Sequence, residues 1–261
     1  YNTALGLQAG DVVTNGASNT LIGAHAGGLL TEGDHNTFVG VNSAGGTQDV
    51  NYTVIIGRDA ASVGNMTTGA DGTIAIGVES LNALTSGTQN TAVGYQALTA
   101  NVVGDQNTAV GYTALVSCVG GDEEQANVAV GRQAGYGIVA SRFNVCVGNK
   151  TMQTIGNASA HYNVAIGHNA MKSSGTAANN DASNNVAVGY QSLYAITDGD
   201  HNVSIGSGAG DALTDSGNNV LVGSNAGGAL TAGSNYNVMI GYNSGATDTA
   251  NLQNCVLVGR N

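Results

Sequence analysis

A five-residue pattern of polar and apolar positions recurs along the whole chain. It begins with Asn, continues with three apolar or β-branched residues and ends with Gly, as in Asn19–Gly23 and Asn107–Gly111. β-Branched residues two positions apart are typical of a short β-strand. The commonest distance from one such Gly to the next is 17 residues, and the longest is 22. An internal repeat of this kind predicts a solenoid.

Positions in this cassette are numbered by their distance from its Gly. Position −4 is Asn in 12 of 15 cassettes, position −3 is always Thr, Val or Ile, and position −1 is Val or Ile in 14 of them. Gly permits a positive φ at a turn, and stacked Asn residues can form a ladder along the coil axis. We therefore expect the cassette Asn and Gly residues to be structural anchors. They include Asn19, Gly23, Asn36, Gly40, Asn90, Gly94, Asn107, Gly111, Asn127, Gly131, Asn219 and Gly223.

Each repeat predicts a strand, a Gly turn, a second short apolar segment and a polar return loop. The chain has no Pro, which fits strands that are hydrogen-bonded on both sides. The predicted fold is therefore all-β, a parallel β-solenoid or β-roll of about 15 coils of 17–22 residues. We expect one array over 1–261, and a fragment of a longer fibre, because neither end carries the cap that solenoid ends need.

The two faces of each strand are both apolar. Positions −3 and −1 point to one face and position −2 to the other, and the β-branched pair predicts that its face fills the coil interior. Position −2 would then form an outer stripe larger than soluble monomers expose, so we expect a second copy of the chain to cover it. The predicted oligomer interface consists of Leu21, Phe38, Ile55, Leu221, Met239 and Leu257.

Composition and charge narrow the classes of function. The net charge is −11 with only 6 Lys and Arg, so we expect no nucleic-acid partner. No apolar run approaches the length of a membrane span, so we expect no membrane insertion in this segment. Cys146 occupies the small position −2 and is expected to pack, whereas Cys118 lies in a loop and could be exposed. No metal-ligand spacing or catalytic triad appears, so we expect neither a cofactor nor enzyme activity.

The repeats resemble those of known fibre proteins. Their Asn-x-x-apolar-Gly-x-x-(Ser/Ala) motif is similar to the head repeats of trimeric autotransporter adhesins of the YadA type. The segment NTAVGYQAL at 90–98 resembles repeats of bacteriophage tail fibres. The resemblance implies a left-handed β-roll built from three chains, located outside the cell on a bacterial surface or a virion tail fibre. It also implies a structural and adhesive role that contacts a host-surface glycan or protein.

Four tyrosines follow a cassette Gly directly and are candidate surface-binding residues. Two of them lie one coil apart, so we expect their rings to stack on the outer surface. Exposed tyrosines often make adhesive contacts; the alternative is that they only shield the turn. The four residues are Tyr95, Tyr112, Tyr190 and Tyr242.

Three other solenoid functions stay open. Acidic residues of the return loops, such as Asp34, Asp105 and Asp122–Glu124, could bind calcium, although a period of 17 does not fit calcium-binding nonapeptides. Recurring Thr at position −3 is compatible with an ice-binding surface, but Val replaces it from Val128 onward. A left-handed β-helix acyltransferase would repeat an apolar residue every six positions, which this sequence does not do.

Overall fold

The chain folds as a parallel β-solenoid, as its repeats predict. The computed structural model describes residues 1–121, 124–155, 160–173, 180–247 and 251–260. Each strand is three residues long and occupies positions −3 to −1 of a cassette. Among the described residues, helical structure is confined to one 3₁₀ turn at Thr68–Ala70.

The chain divides into two compact units, Tyr1–Asn127 and Val128–Asn261. Both are built from the same coil, and the prediction of one array over 1–261 stays a prediction. In the first unit the strands β1–β7 are Thr3–Leu5, Thr20–Ile22, Thr37–Val39, Val54–Ile56, Ile74–Ile76, Thr91–Val93 and Thr108–Val110. In the second unit β8–β15 are Val128–Val130, Val145–Val147, Val164–Ile166, Val186–Val188, Val203–Ile205, Val220–Val222, Val238–Ile240 and Val256–Val258.

Within each unit, consecutive strands pair in parallel and in the same register. Thr20 pairs with Thr37 across a repeat of 17 residues. Val164 pairs with Val186 in the same way, although 22 residues separate them. Extra residues are therefore taken up in the return loops, and the cassettes stay aligned from coil to coil.

The two strand faces are the reverse of what the sequence led us to expect. Position −2 points into the coil, whereas position −1 lies outside: Ile166 is 39% exposed. The predicted interface is therefore wrong, because its side chains already fill the interior of their own chain. Those at 0–1% exposure are Leu21, Phe38, Ile55, Leu221 and Met239. Leu257 occupies the same inward position in β15, where no further strand of the described chain covers it, and is 37% exposed.

The coil interior explains this orientation. A large residue at position −2 accompanies Gly or Ala at position +4, and a Cβ at Gly227 would lie 2.8 Å from the Leu221 side chain. In six of the nine coils with a small residue at position −2, position +4 is Leu or Met, as in Ala92 with Leu98, both fully buried. No coil has large residues at both positions, because the two side chains compete for the same interior space. Each strand contributes only its residue at position −2 to this space, so the residues at positions −3 and −1 point outward.

The cassette Gly is fixed by both backbone conformation and space. Gly40 has a φ of +135°, and a Cβ on it would lie 2.6 Å from the carbonyl oxygen of Gly57 in the next coil. Residues at positions −5, +2 and +4 also adopt left-handed backbone, including His35, Gln96 and Leu98 at φ values of 59°, 51° and 52°. These turns bound the strand on both sides and set the margins of its outward face.

Candidate functional site

The outward face of the strands is the most distinctive surface of the molecule. It is formed by positions −3 and −1, which mix Thr with apolar residues in the first unit and are Val or Ile at every strand of the second. Their side chains stay partly exposed, for example Val130 at 38% and Ile205 at 41%. No charged residue occupies either position in any cassette. Each unit therefore presents a mostly apolar stripe without charge to its surroundings.

The margins of this face also lack acidic residues. None of the 17 Asp and Glu stands at position −5, just before the cassette Asn, or at position +1, just after the Gly. These margin side chains are open to solvent, as shown by Tyr52 at 66% and Val41 at 51%. Depletion of charge is a feature of the central part of protein interfaces. On so acidic a chain, a face without acidic residues has the composition of a contact surface.

The four candidate tyrosines line the margin at position +1. The predicted stack of Tyr95 on Tyr112 is confirmed, with ring centroids 5.3 Å apart and ring planes within 9° of parallel. Tyr190 stacks on His168 instead, and the ring of Tyr242 lies under the Arg260 guanidinium. All four tyrosines are exposed by 42–52%. That they bind a ligand stays a prediction.

The cassette Asn residues form a ladder that joins successive coils. The Asn19 Oδ1 accepts the backbone N–H of Asn36 at 2.9 Å, and its Nδ2 donates to the carbonyl oxygen of Gly33 at 2.7 Å. One amide therefore satisfies a donor and an acceptor of the next coil at once. Thr offers a single hydroxyl and Asp offers no donor at neutral pH, which explains the preference for Asn.

A second ladder, at position −6, runs in the opposite direction. It was not predicted from the sequence. The carboxylates of Asp34, Asp105 and Asp200 each accept a backbone N–H from the preceding coil, at 2.6–2.7 Å. Three of the loop acids therefore have a structural partner already. Asp122 and Glu123, which belong to the other acidic group considered for calcium binding, lie outside the described residues. No group of three or more metal-ligating side chains occurs in the described part of the chain.

His161 takes the same place in the second ladder. Its Nδ1 accepts the backbone N–H of Arg142 at 3.1 Å. Partial burial lowers the pKa of His161, and the nearby Arg142 lowers it further, while Asp181 acts in the opposite sense. The neutral ring that this hydrogen bond requires is therefore favoured.

Two of the cysteines are packing residues. Cys146 is fully buried at position −2, as predicted. Cys118 is also fully buried, contrary to expectation, because its side chain points into the coil at position +7, where other coils place Leu30 or Ile138. Burial raises the pKa of both thiols to about 12, so both are protonated at neutral pH and poor nucleophiles.

Comparison with protein-family models, with curated proteins and with solved structures finds no match to this chain. Over the residues that the structure describes, no helix is long and apolar enough to cross a membrane. The features of the chain that bear on its function are therefore the outward face, its margins and the distribution of charge.

Proposed function

We propose that this chain is a structural and adhesive segment of an extracellular fibre, in which copies associate through the outward strand face. The observation that carries the proposal is the composition of positions −3 and −1, where no cassette has a charged residue. Burying a Val or Ile side chain fully contributes about 1.5–3 kcal/mol. These side chains are already partly covered, so each adds less, but every coil of the second unit supplies two.

The shape of the coil favours association in parallel. Because all strands of a unit keep one register, copies placed side by side with their coils level would match cassette to cassette. The resemblance to trimeric adhesin heads makes three copies the expected number. Such an arrangement suits a shaft or head that presents its return loops and margins to a host surface.

Native mass spectrometry tests the association directly. We expect the protein to exceed the single-chain mass of 25.8 kDa, and to fall to it in the variant Val188→Lys with Val222→Lys. Both residues are outward at position −1, so circular dichroism should still report a folded coil. A single-chain mass for the unmodified protein at micromolar concentration would contradict the proposal.

The matched control adds the same charge elsewhere in the second unit. Thr231→Lys with Ala232→Lys alters two exposed residues of a return loop, and should leave the oligomer intact. Dissociation of this control as well would mean that added charge, and not the outward face, separates the copies.

A second candidate is an ice-binding surface, which one observation favours. The Thr residues at position −3 of the first unit, including Thr20 and Thr37, stand on the outward face and pair in register. Val54 and Ile74 interrupt the column, which weakens this candidate. Thermal hysteresis that is lost in Thr20→Lys with Thr37→Lys would support it over the fibre proposal.

A further inference from the structure

The second unit carries a cluster of cations on a chain that is otherwise acidic. Between Val128 and Asn180 the sequence has four Lys and Arg and no Asp or Glu. The first unit has eleven acidic residues and a single cation, Arg58. That guanidinium pairs with Asp59 and lies 3.8 Å from the Glu79 carboxylate. The four cations between Val128 and Asn180, unlike Arg58, thus lie in a stretch of sequence without acidic residues.

Three of these cations follow the Gly turn in three consecutive coils. Arg132 is at position +1 of the first, Lys150 at +2 of the second and Lys172 at +5 of the third. The backbone N–H of Lys150 donates to the Arg132 carbonyl oxygen at 2.9 Å, which fixes these two coils against each other. Arg132 lies at the margin of the outward face, and the hydrogen bond from Gln153 at position +5 to Gln133 at position +2 of the preceding coil places the +5 column, which includes Lys172, beside the +2 column, which includes Lys150.

Aromatic rings also occupy these columns, with His168 and Tyr190 at position +1 and Tyr194 at position +5. The Lys172 Nζ lies 5.7 Å from the ring centroid of Tyr194. His168 stacks on Tyr190 with centroids 5.6 Å apart. Amide groups stand there too: the Gln153 Nε2 donates to the Gln133 Oε1 at 3.3 Å, which leaves the Gln133 NH2 and the Gln153 carbonyl oxygen for other partners. The surface thus combines cations, flat apolar rings and neutral polar groups.

We infer that this surface, formed by Arg132, Lys150, His168, Lys172, Tyr190 and Tyr194, binds an acidic polysaccharide. The cations match the carboxylate or sulfate groups of such a polymer, for which charge-assisted hydrogen bonds are the strong contacts. The rings offer apolar faces and edges to the sugar, and the amides suit its hydroxyl groups. A protein of net charge −11 would repel a polyanion elsewhere, so binding is confined to this cluster.

The inference deepens the proposed adhesive role by naming a ligand class and a site. It rests on the proposed function only in so far as a fibre is exposed to a glycan-bearing surface. The cluster belongs to one chain and does not need the oligomer. Native mass spectrometry on the same samples therefore separates the two ideas, because a single chain that still binds would overturn the oligomer and leave the site standing.

Titration calorimetry at low salt, with four probes, tests the inference. The probes are a sulfated heparin oligosaccharide, an oligogalacturonate, a neutral dextran and polyphosphate. We expect the two acidic saccharides to bind, with affinity that falls as salt rises, and dextran not to bind. The triple variant Arg132→Gln, Lys150→Gln, Lys172→Gln should weaken saccharide binding about tenfold or more. The control Arg260→Gln removes a cation that also lies over a tyrosine ring, and should change little.

A second variant distinguishes a saccharide site from a simple patch of positive charge. Tyr194→Leu should weaken binding of the acidic saccharides and leave polyphosphate binding unchanged. Polyphosphate binding as tight as saccharide binding, with no effect of Tyr194→Leu on either, would overturn the saccharide assignment. No saccharide binding at low salt, or equal binding by the folded triple variant, would overturn the site altogether.

Discussion

The two units share one coil but differ in how continuous their Asn ladder is. In the second unit, Asn side chains bridge every coil from Asn144 to Asn237, each Oδ1 accepting the N–H of the next cassette. In the first unit Thr53 and Thr73 interrupt the ladder. The strands nevertheless keep their register there, since the Val54 N–H still reaches the Thr73 carbonyl oxygen at 3.0 Å. The ladder therefore adds stability to a coil that backbone hydrogen bonds already define.

The two units differ more in their exposed residues than in their Asn ladders. Position −3 is Thr in five of the seven strands of the first unit and Val in all eight of the second. The first unit has eleven acidic residues and one Lys or Arg, whereas the second has six and five. The cassette Gly recurs in every coil of both units, whereas position −3 and the charge differ between them. The two units therefore differ mainly in their exposed side chains and charge.

The positions that both units share should be the most sensitive to change. We expect Gly40→Ala and Gly189→Ala each to cost about 4 kcal/mol or more. Their φ values are +135° and +137°, and a Cβ would lie 2.6 Å and 2.5 Å from the next coil's carbonyl oxygen. Thermal unfolding followed by circular dichroism measures the loss.

A glycine outside this column serves as the control. A Cβ on the exposed Gly121 would meet nothing within 4 Å, so Gly121→Ala should shift the melting temperature little. If all three variants melted together, the cassette Gly would not be the fixed point of the coil.

The coil interior supplies the next largest effect. Leu221→Ala should destabilise by about 2–5 kcal/mol, because it leaves a cavity in the second unit. Adding Gly227→Leu converts this coil to the Ala92 and Leu98 arrangement of the first unit, and should recover about half of the loss. Chemical denaturation of the single and double variants measures the coupling. Additive losses would show that the two positions do not share one space.

Much of the fold could be predicted from the sequence, because the cassette repeats and its spacing fixes the strands. The predicted inward face was wrong, because β-branched residues at positions −3 and −1 were assumed to mark the interior. A signal for the right choice was present: large residues at −2 occur only with Gly or Ala at +4, as in Met239 with Gly245. The role of Asp34 could not be foreseen, because its partner N–H is 17 residues away in the preceding coil.

A single substitution can interrupt the Asn ladder of the second unit, where it is continuous. In Asn202→Thr, the Asn219 N–H would lose its acceptor and the Ser216 carbonyl oxygen its donor. Two buried groups without partners would cost about 2–4 kcal/mol. Hydrogen exchange at the Asn219 amide should accelerate, while the Val188 amide, in the preceding strand, should change less. Unchanged exchange at Asn219 would mean that the ladder carries no stability.

The reverse substitution should mend the ladder of the first unit, with a smaller effect. The Thr73 hydroxyl is buried and has no hydrogen-bond partner, so Thr73→Asn replaces an unsatisfied group. By the geometry of the other coils, the new Oδ1 would accept the Asn90 N–H and the new Nδ2 would reach the Gly87 carbonyl oxygen. Each hydrogen bond contributes about 0.5–1.5 kcal/mol net, and the buried amide loses some of this gain to lost side-chain freedom. We therefore expect about 1 kcal/mol of stabilisation, seen as slower exchange of the Asn90 amide and a higher melting temperature.

Thr73→Val, which removes the hydroxyl without extending the ladder, is the matched control and should leave Asn90 exchange unchanged. Equal protection in the Asn and Val variants would mean that the buried hydroxyl, and not the missing ladder step, limits the stability of the first unit.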